Sequence, residues 1–148
     1  MNSEWIWPAS PNLSGLIMGI IFIFPTIYFI RNKNWDSVAW PLFLMTLPVY
    51  YMLFGVLAMD GSAVLYELLY GLPFILTGLL VWRMRSKNAL IIVALAWMSH
   101  GFYDFYHDHF FLNSGVFNWY PAFCAIVDAT VGVYLLIYYR RVFTDKII

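Results

Sequence analysis

The sequence predicts an all-α, polytopic membrane protein in which five transmembrane helices form a single domain over residues 1–148. Composition supports this fold class. Of the 148 residues, 63% are hydrophobic and only 11% are charged, and the mean hydropathy is +0.74, whereas soluble domains are about 25% charged. The aromatic content of 21% also fits, because Trp and Tyr collect at both surfaces of a bilayer.

The spacing of the apolar stretches is the second observation that predicts this class. Each stretch is close to the roughly 20 residues that about 30 Å of hydrocarbon requires. The predicted spans are 13–30, 39–58, 64–82, 89–107 and 119–138. Short polar segments separate them. The first span lacks a basic leader before it and a small-residue cleavage site after it, so we expect a retained anchor.

The distribution of charge predicts the orientation. All the basic residues fall in the first loop, the third loop and the carboxyl-terminal tail: Arg31, Lys33, Arg83, Arg85, Lys87, Arg140, Arg141 and Lys146. Since basic loops stay on the cytoplasmic side, this pattern predicts a cytoplasmic carboxyl terminus and an amino terminus outside. The basic clusters are short and lie where topology requires them, so they predict no nucleic-acid partner.

Ionisable side chains inside the predicted spans indicate a functional site. His100, Asp104 and His107 are four and three residues apart, which places them within a roughly 60° arc of one helix face. Counting along the third and fifth spans puts Glu67 and Asp128 at similar depths, in the outer half of the bundle. Ionisable groups at membrane depth are costly and are read as functional by default. We therefore expect the five side chains to meet in one pocket.

The chemistry of this set predicts a metal site. Di-metal helical bundles use a carboxylate-x-x-His pair with carboxylates from neighbouring helices, and Asp104 and His107 with Glu67 and Asp128 repeat that arrangement in outline. The predicted ligands are His100, Asp104, His107, Asp128 and Glu67, and Zn, Fe or Mn suits them. If the site is hydrolytic, Glu67 or Asp128 would act as the catalytic base. A metal-free proton-handling site and a purely structural hydrogen-bond network stay open as alternatives.

Two spans and a middle segment carry a family resemblance. The matching residues are Trp97, His100, Asp104 and His107, then Pro121, Cys124, Ala125, Asp128 and Ala129, with Glu67-Leu68 and Leu72-Pro73-Phe74 in the middle span. This pattern resembles a family of small, uncharacterised bacterial integral membrane proteins, classed as a domain of unknown function. The resemblance covers the carboxyl-terminal two-thirds and implies a multi-pass protein of the bacterial inner (plasma) membrane. It implies that the matching ionisable residues belong to one site, and it assigns no reaction to that site.

These observations together predict an integral membrane protein with a metal-binding His/Asp/Glu site in its outer half. Its partners would be the lipid bilayer and a lipid-like or other small apolar substrate, and whether it is an enzyme stays open. Two other classes remain: an oligomeric transporter for a metal ion or a proton, and a structural or accessory subunit whose polar cluster fixes helix packing. Gly15 and Gly19 suit a helix–helix contact between chains, so a homo-oligomer also stays open.

Overall fold

The computed structural model describes residues 12–84 and 89–144, with the backbone alone described over 140–144. Within these ranges the helices are α1 (Leu13–Asn32), α2 (Asp36–Leu57), α3 (Gly61–Met84), α4 (Leu90–Phe105), α5 (His107–Phe110) and α6 (Tyr120–Thr144). The all-α prediction is therefore confirmed for the described part of the chain. Arg85, Lys87 and Lys146, which contribute to the predicted orientation, lie outside it.

Four of these helices are long and apolar enough to cross a membrane: α1, α2, α3 and the Tyr120–Tyr139 part of α6. The predicted spans match them to within a few residues. The fourth predicted span, 89–107, corresponds to α4, which is apolar but has only 16 residues. At 1.5 Å per residue it is about 24 Å long, short of a full bilayer core. The count of five crossings and their orientation therefore stay predictions.

Polar residues in the loops start two of the helices. The side chain of Asn12 caps α1 by accepting a hydrogen bond from the backbone N–H of Gly15. Asp60 caps α3, where its carboxylate accepts from the backbone N–H groups of Ser62 at 3.1 Å and Ala63 at 3.0 Å. Such caps satisfy N–H groups that the first helical turn leaves without partners.

Glycines allow the helices to approach closely. The closely packed pairs are α2 with α3, α4 with α6, and α1 with α6. Gly71 of α3 lies so near Pro48 of α2 that an added Cβ would overlap the proline ring. Gly15 of α1 lies in the same way against the carbonyl oxygen of Trp119, just before α6, and Gly19 lies against Ile126 and the carbonyl oxygen of Phe123. This glycine pair therefore serves packing inside one chain, and a homo-oligomer stays a prediction.

The apolar core fills one half of the bundle, where α1 ends and α2 and α4 begin. We call this half the Asp36 end. Its fully or almost fully buried side chains include Ile30, Trp40, Val81, Leu90 and Leu135. The buried histidines and most of the buried carboxylates lie towards the opposite end, which α4 reaches at its last turns. The fold thus separates an apolar half from a half with a polar interior.

Candidate metal centre

Helices α4 and α6 bring three ionisable side chains together. The Nδ1 atom of His100 lies 2.7 Å from Oδ2 of Asp128 and 3.2 Å from Oδ2 of Asp104. All three residues are at most 1% exposed. His100 and Asp104 share one face of α4 because they are four residues apart, and Asp128 faces them from α6. We call these three residues the His–Asp centre.

A glycine beside His100 makes this approach feasible. A Cβ added at Gly101 would lie 3.0 Å from Cβ of Asp128 and 3.2 Å from the carbonyl oxygen of Ala125. These distances are tighter than ordinary van der Waals contact, so any larger residue at Gly101 would push α6 away. The sequence of α4 therefore sets the distance between Asp128 and the imidazole of His100.

Several polar atoms of the centre have hydrogen-bonding capacity to spare. Within the described residues, Nε2 of His100, Oδ1 of Asp104 and Oδ1 of Asp128 are buried and have no hydrogen-bond partner. The hydroxyl of Tyr51 is likewise buried without a hydrogen-bond partner among these residues. Buried polar atoms are almost always paired, and leaving one unpaired costs about 1–3 kcal/mol. Three such atoms on adjacent residues are typical of a site that binds a ligand or an ion.

The spacing of the centre fits a single metal ion. One ligand atom from each of the three residues lies within 4.8 Å of the others. Metal–ligand bonds of about 2.0–2.2 Å put two ligands of one tetrahedral ion about 3.3–3.6 Å apart. The separations of His100 from the two carboxylates, 2.7 Å and 3.2 Å, are close to this range. With a neutral imidazole the two carboxylates carry a charge of −2, which a divalent cation neutralises.

A second polar cluster surrounds Glu67. Its Oε1 atom accepts hydrogen bonds from Nε2 of His107 at 2.8 Å and from Nδ2 of Asn113 at 2.9 Å. Its Oε2 atom accepts one from the hydroxyl of Tyr103 at 2.9 Å. Asn113 also donates to the backbone carbonyl of Tyr51 at 3.1 Å. We call Glu67, His107, Asn113 and Tyr103 the Glu67 network. In it, three side chains donate hydrogen bonds to one buried carboxylate.

The end of α4 explains why His107 lies in this network. The helix ends at Phe105, and Tyr106, with φ −104° and ψ 11°, separates it from α5. The helical rotation that would place His107 beside His100 and Asp104 is interrupted there. The structure thus brings three of the five predicted ligands into one centre and pairs the other two, Glu67 and His107, in a neighbouring network.

The ring of Tyr103 connects the two clusters. Its centroid lies 5.7 Å from that of His100 and 5.5 Å from that of His107. The two imidazoles therefore border the same aromatic ring without sharing a hydrogen bond. The assignment of Glu67 and His107 as ligands of the same ion as His100 stays a prediction.

The sequence interpretation missed the contributions of Tyr51 and Asn113. Tyr51 stacks on the imidazole of His107, with ring centroids 4.6 Å apart and an interplanar angle of 19°. Asn113 is buried although its Asn-Ser-Gly context is typical of an exposed turn. No helical periodicity extends into that loop, so pattern analysis could not place Asn113 beside Glu67.

A third polar group was missed at the opposite end of the bundle. Asp36 is 2% exposed, and its Oδ1 atom accepts hydrogen bonds from the hydroxyl of Tyr134 at 2.6 Å and from Nε1 of Trp40 at 3.1 Å. Arg31 forms an ion pair with its Oδ2 atom at 3.7 Å. These contacts join α1, α2 and α6, so Asp36 serves helix packing.

Two aspartates outside the spans have perturbed acidities. The hydroxyl of Ser62 donates to Asp60 at 2.6 Å, and this hydrogen bond lowers the pKa of the Asp60 carboxyl. A hydrogen bond from Nδ1 of His107 to Asp108 at 3.1 Å lowers the pKa of the Asp108 carboxyl. Both groups are therefore more firmly ionised than a free aspartate.

An apolar groove leads to the His–Asp centre. It has a volume of about 270 Å³ and lies between α1, α2 and α6. Asp128 forms part of its wall, so one member of the centre borders space that a small molecule can enter. The lining includes Phe22, Phe43, Tyr50, Phe123, Cys124 and Asp128.

Comparison with known proteins returns no match: no protein-family model, no curated protein and no solved structure is significantly similar to this chain. The resemblance to small bacterial membrane proteins therefore stays a prediction.

Proposed function

We propose that the protein is an integral membrane metalloenzyme in which the His–Asp centre binds one divalent transition-metal ion and hydrolyses a lipid-like substrate. The observation that carries this proposal is the set of three buried ligand atoms within 4.8 Å of one another. Imidazole and carboxylate ligands suit Zn, Fe or Mn. A divalent ion in such a site polarises a carbonyl group and activates water.

The electrostatics of the centre favour a bound cation. Asp104 and Asp128 are both completely buried and both contact one imidazole. A protonated His100 would offset only one of the two negative charges. Two neighbouring carboxylates in a low-dielectric interior repel each other unless a cation or a proton lies between them. A divalent ion bound by one oxygen atom of each carboxylate removes that repulsion.

The structure also favours one of the two predicted bases. Glu67 already accepts three hydrogen bonds, so it would have to lose one before accepting a proton from water. Asp128 has a spare Oδ1 atom and borders the groove. In the proposed reaction Asp128 therefore receives the proton, and the apolar wall of the groove limits access by bulk water.

A membrane location is part of the proposal. Large apolar side chains on several helices are exposed, among them Ile21 at 67%, Leu57 at 70% and Leu80 at 58%, as expected for a surface in contact with lipid. We propose a multi-pass protein of a bacterial inner membrane, with the amino terminus outside and the carboxyl terminus in the cytoplasm. Reporter fusions at the two termini test the orientation, and a cytoplasmic amino terminus would contradict it.

Elemental analysis of purified protein tests the metal centre. We expect about one divalent ion per chain in the wild type and loss of that ion in both His100→Ala and Asp128→Ala, because the centre provides few ligands and each is essential. Asp36→Asn is the matched control, since it alters a buried aspartate at the start of α2, at the opposite end of the bundle from the centre, and should retain the ion. Equal metal content in all four proteins would show that the ion is adventitious.

Lipid analysis tests the reaction. Membranes that contain the wild type should accumulate the products of lipid hydrolysis, whereas membranes with His100→Ala should not, and a chelator should stop the reaction in detergent. Metal bound at the centre without any change in the lipids would support the proposed metal site and contradict the proposed hydrolysis.

One contact favours a second function. Nδ1 of His100 lies within hydrogen-bond distance of both Asp104 and Asp128, which is also the arrangement of a proton shared among three groups. A folded, metal-free protein whose activity disappears in His100→Ala would support proton handling by this centre in place of metal catalysis.

A further inference from the structure

The groove lies where two helices of the bundle separate. α1 packs on α6, and α2 packs on α3, so α1 and α2 have little contact with each other. The floor of the gap between them is α6, which contributes Phe123, Val127 and Asp128. Since α1 and α2 are long and apolar enough to span the bilayer, the gap opens sideways to the hydrocarbon.

The groove is lined mainly by apolar side chains, to which Tyr50 and Tyr120 add two hydroxyl groups. The hydroxyl of Thr26 donates to the carbonyl of Phe22 at 2.8 Å, and that of Thr46 donates to the carbonyl of Phe43 at 2.8 Å. Both hydroxyl protons are therefore already used within their own helices. Asp128 stands apart, because its Oδ1 atom is buried and has no partner among the described residues. The occupant should therefore be mostly hydrocarbon, with a polar group where it meets Asp128.

The groove runs along the middle of α2. Its lining on α2 extends from Trp40 to Tyr50, which is about 15 Å at 1.5 Å per residue. This is half of the roughly 30 Å hydrocarbon core of a bilayer. The groove can therefore hold about 15 Å of an acyl chain, and its volume of about 270 Å³ is small for a larger ligand.

We propose that the groove binds one acyl chain of a bilayer glycerolipid and places the ester carbonyl of that chain beside Asp128. This inference rests on the proposed function and names its substrate class. Hydrolysis then adds the hydroxyl of water to the acyl carbon and breaks the acyl C–O bond. The second proton of that water goes by way of Asp128 to the alkoxide oxygen, which leaves as the alcohol. The products are a fatty acid and a lysolipid.

Photolabelling tests the site of binding. The full chain is reconstituted in phosphatidylcholine nanodiscs that contain a phosphatidylcholine with a diazirine in one acyl chain. Peptides are then mapped by mass spectrometry. We expect labels to concentrate on the groove faces of α1, α2 and α6, above the background on lipid-exposed residues of α3 such as Leu69 and Leu76.

Two threonine variants make the test specific. Thr26→Trp fills the groove and should reduce groove labelling about tenfold, which corresponds to about 1.4 kcal/mol of lost affinity. Thr130→Trp is the matched control, because Thr130 also bonds a carbonyl one turn earlier, Ile126 at 2.7 Å, but does not line the groove. Labelling in this control should equal that in the wild type.

The outcomes separate this inference from the proposed function. Uniform labelling of the apolar surface, or groove labelling that Thr26→Trp leaves unchanged, would overturn the inference even when the metal content is about one ion per chain. Groove-specific labelling that Thr26→Trp removes would support the acyl-chain site. If the labelled protein contains no metal, the proposed metalloenzyme is contradicted while the lipid-binding site is still supported.

Discussion

Replacement of Asp128 by Asn should affect metal binding and metal-free stability in different ways. In the metal-free protein, Asp104 and Asp128 place ligand atoms within 4.8 Å of each other. Two unit charges at that distance repel by about 3.5 kcal/mol at an effective dielectric constant of about 20, a cost that the metal-free pair either bears or avoids by binding a proton. The amide of the Asp128→Asn variant would remove this repulsion and would still accept a hydrogen bond from Nδ1 of His100, but it would lose the charge assistance, worth about 1–2 kcal/mol. We therefore expect the metal-free variant to be at least as stable as the metal-free wild type.

With metal present the order should reverse. A metal at 100 times its Kd stabilises the wild type by about 2.7 kcal/mol, which raises the Tm by about 5–10 °C for a chain of this size. Asp128→Asn should lose most of this increment, because an amide oxygen is a much weaker ligand than a carboxylate. Asp36→Asn should keep it. The assay is thermal unfolding in detergent with chelator and with added Zn²⁺ or Mn²⁺. An equal metal-induced rise in Tm for Asp128→Asn and the wild type would refute the reasoning.

Three further predictions test other parts of the structure. Gly101→Ala should weaken metal affinity about 10–100-fold, because its Cβ would displace Asp128. Gly61→Ala is the control, because an added Cβ there meets nothing within 4 Å, and it should bind metal as tightly as the wild type does. Equal metal affinities of Gly101→Ala and Gly61→Ala in titrations would contradict the packing argument. Glu67→Gln should lower the free energy of unfolding by about 1–3 kcal/mol, because an amide cannot accept all three hydrogen bonds. The metal content of this variant should equal that of the wild type, and loss of metal would place Glu67 among the ligands. Because the pKa of Asp60 is lowered in the folded state, its stabilising effect is fully present above pH 3.8, the ordinary pKa, and is lost as the pH falls through the lower pKa of the folded state. Asp60→Asn should therefore flatten the dependence of Tm on pH in that range. An unchanged slope would contradict this prediction.

Hydrophobic length and helical periodicity account for what the sequence predicted. The predicted spans follow the helices closely because apolar stretches of this length have few alternatives to helix. The contact between His100 and Asp104 was also predictable, since it depends only on a separation of four residues within one helix. The position of Asp128 beside them followed from counting residues along the last span.

Tertiary contacts account for what the sequence did not predict. No glycine or proline lies between Phe105 and His107, so the end of α4 at Phe105 could not be predicted from local signals. That end turns His107 towards Glu67. The burial of Asn113 depends on the path of a loop, and the groove depends on the separation of α1 from α2. Neither leaves a periodic pattern in the sequence.

The bonds of Asn113 determine how small molecules reach the buried centre. Its side chain holds the loop before α6 to Glu67 and to the backbone of Tyr51, and it also accepts a hydrogen bond from the backbone N–H of Gly115 at 3.2 Å. Movement of this loop would break the bonds to Glu67 and to Tyr51 together, which favours exchange through the lateral groove. Inhibitors of the centre should therefore dissolve in the lipid phase first, and their potency should rise with their oil–water partition coefficient.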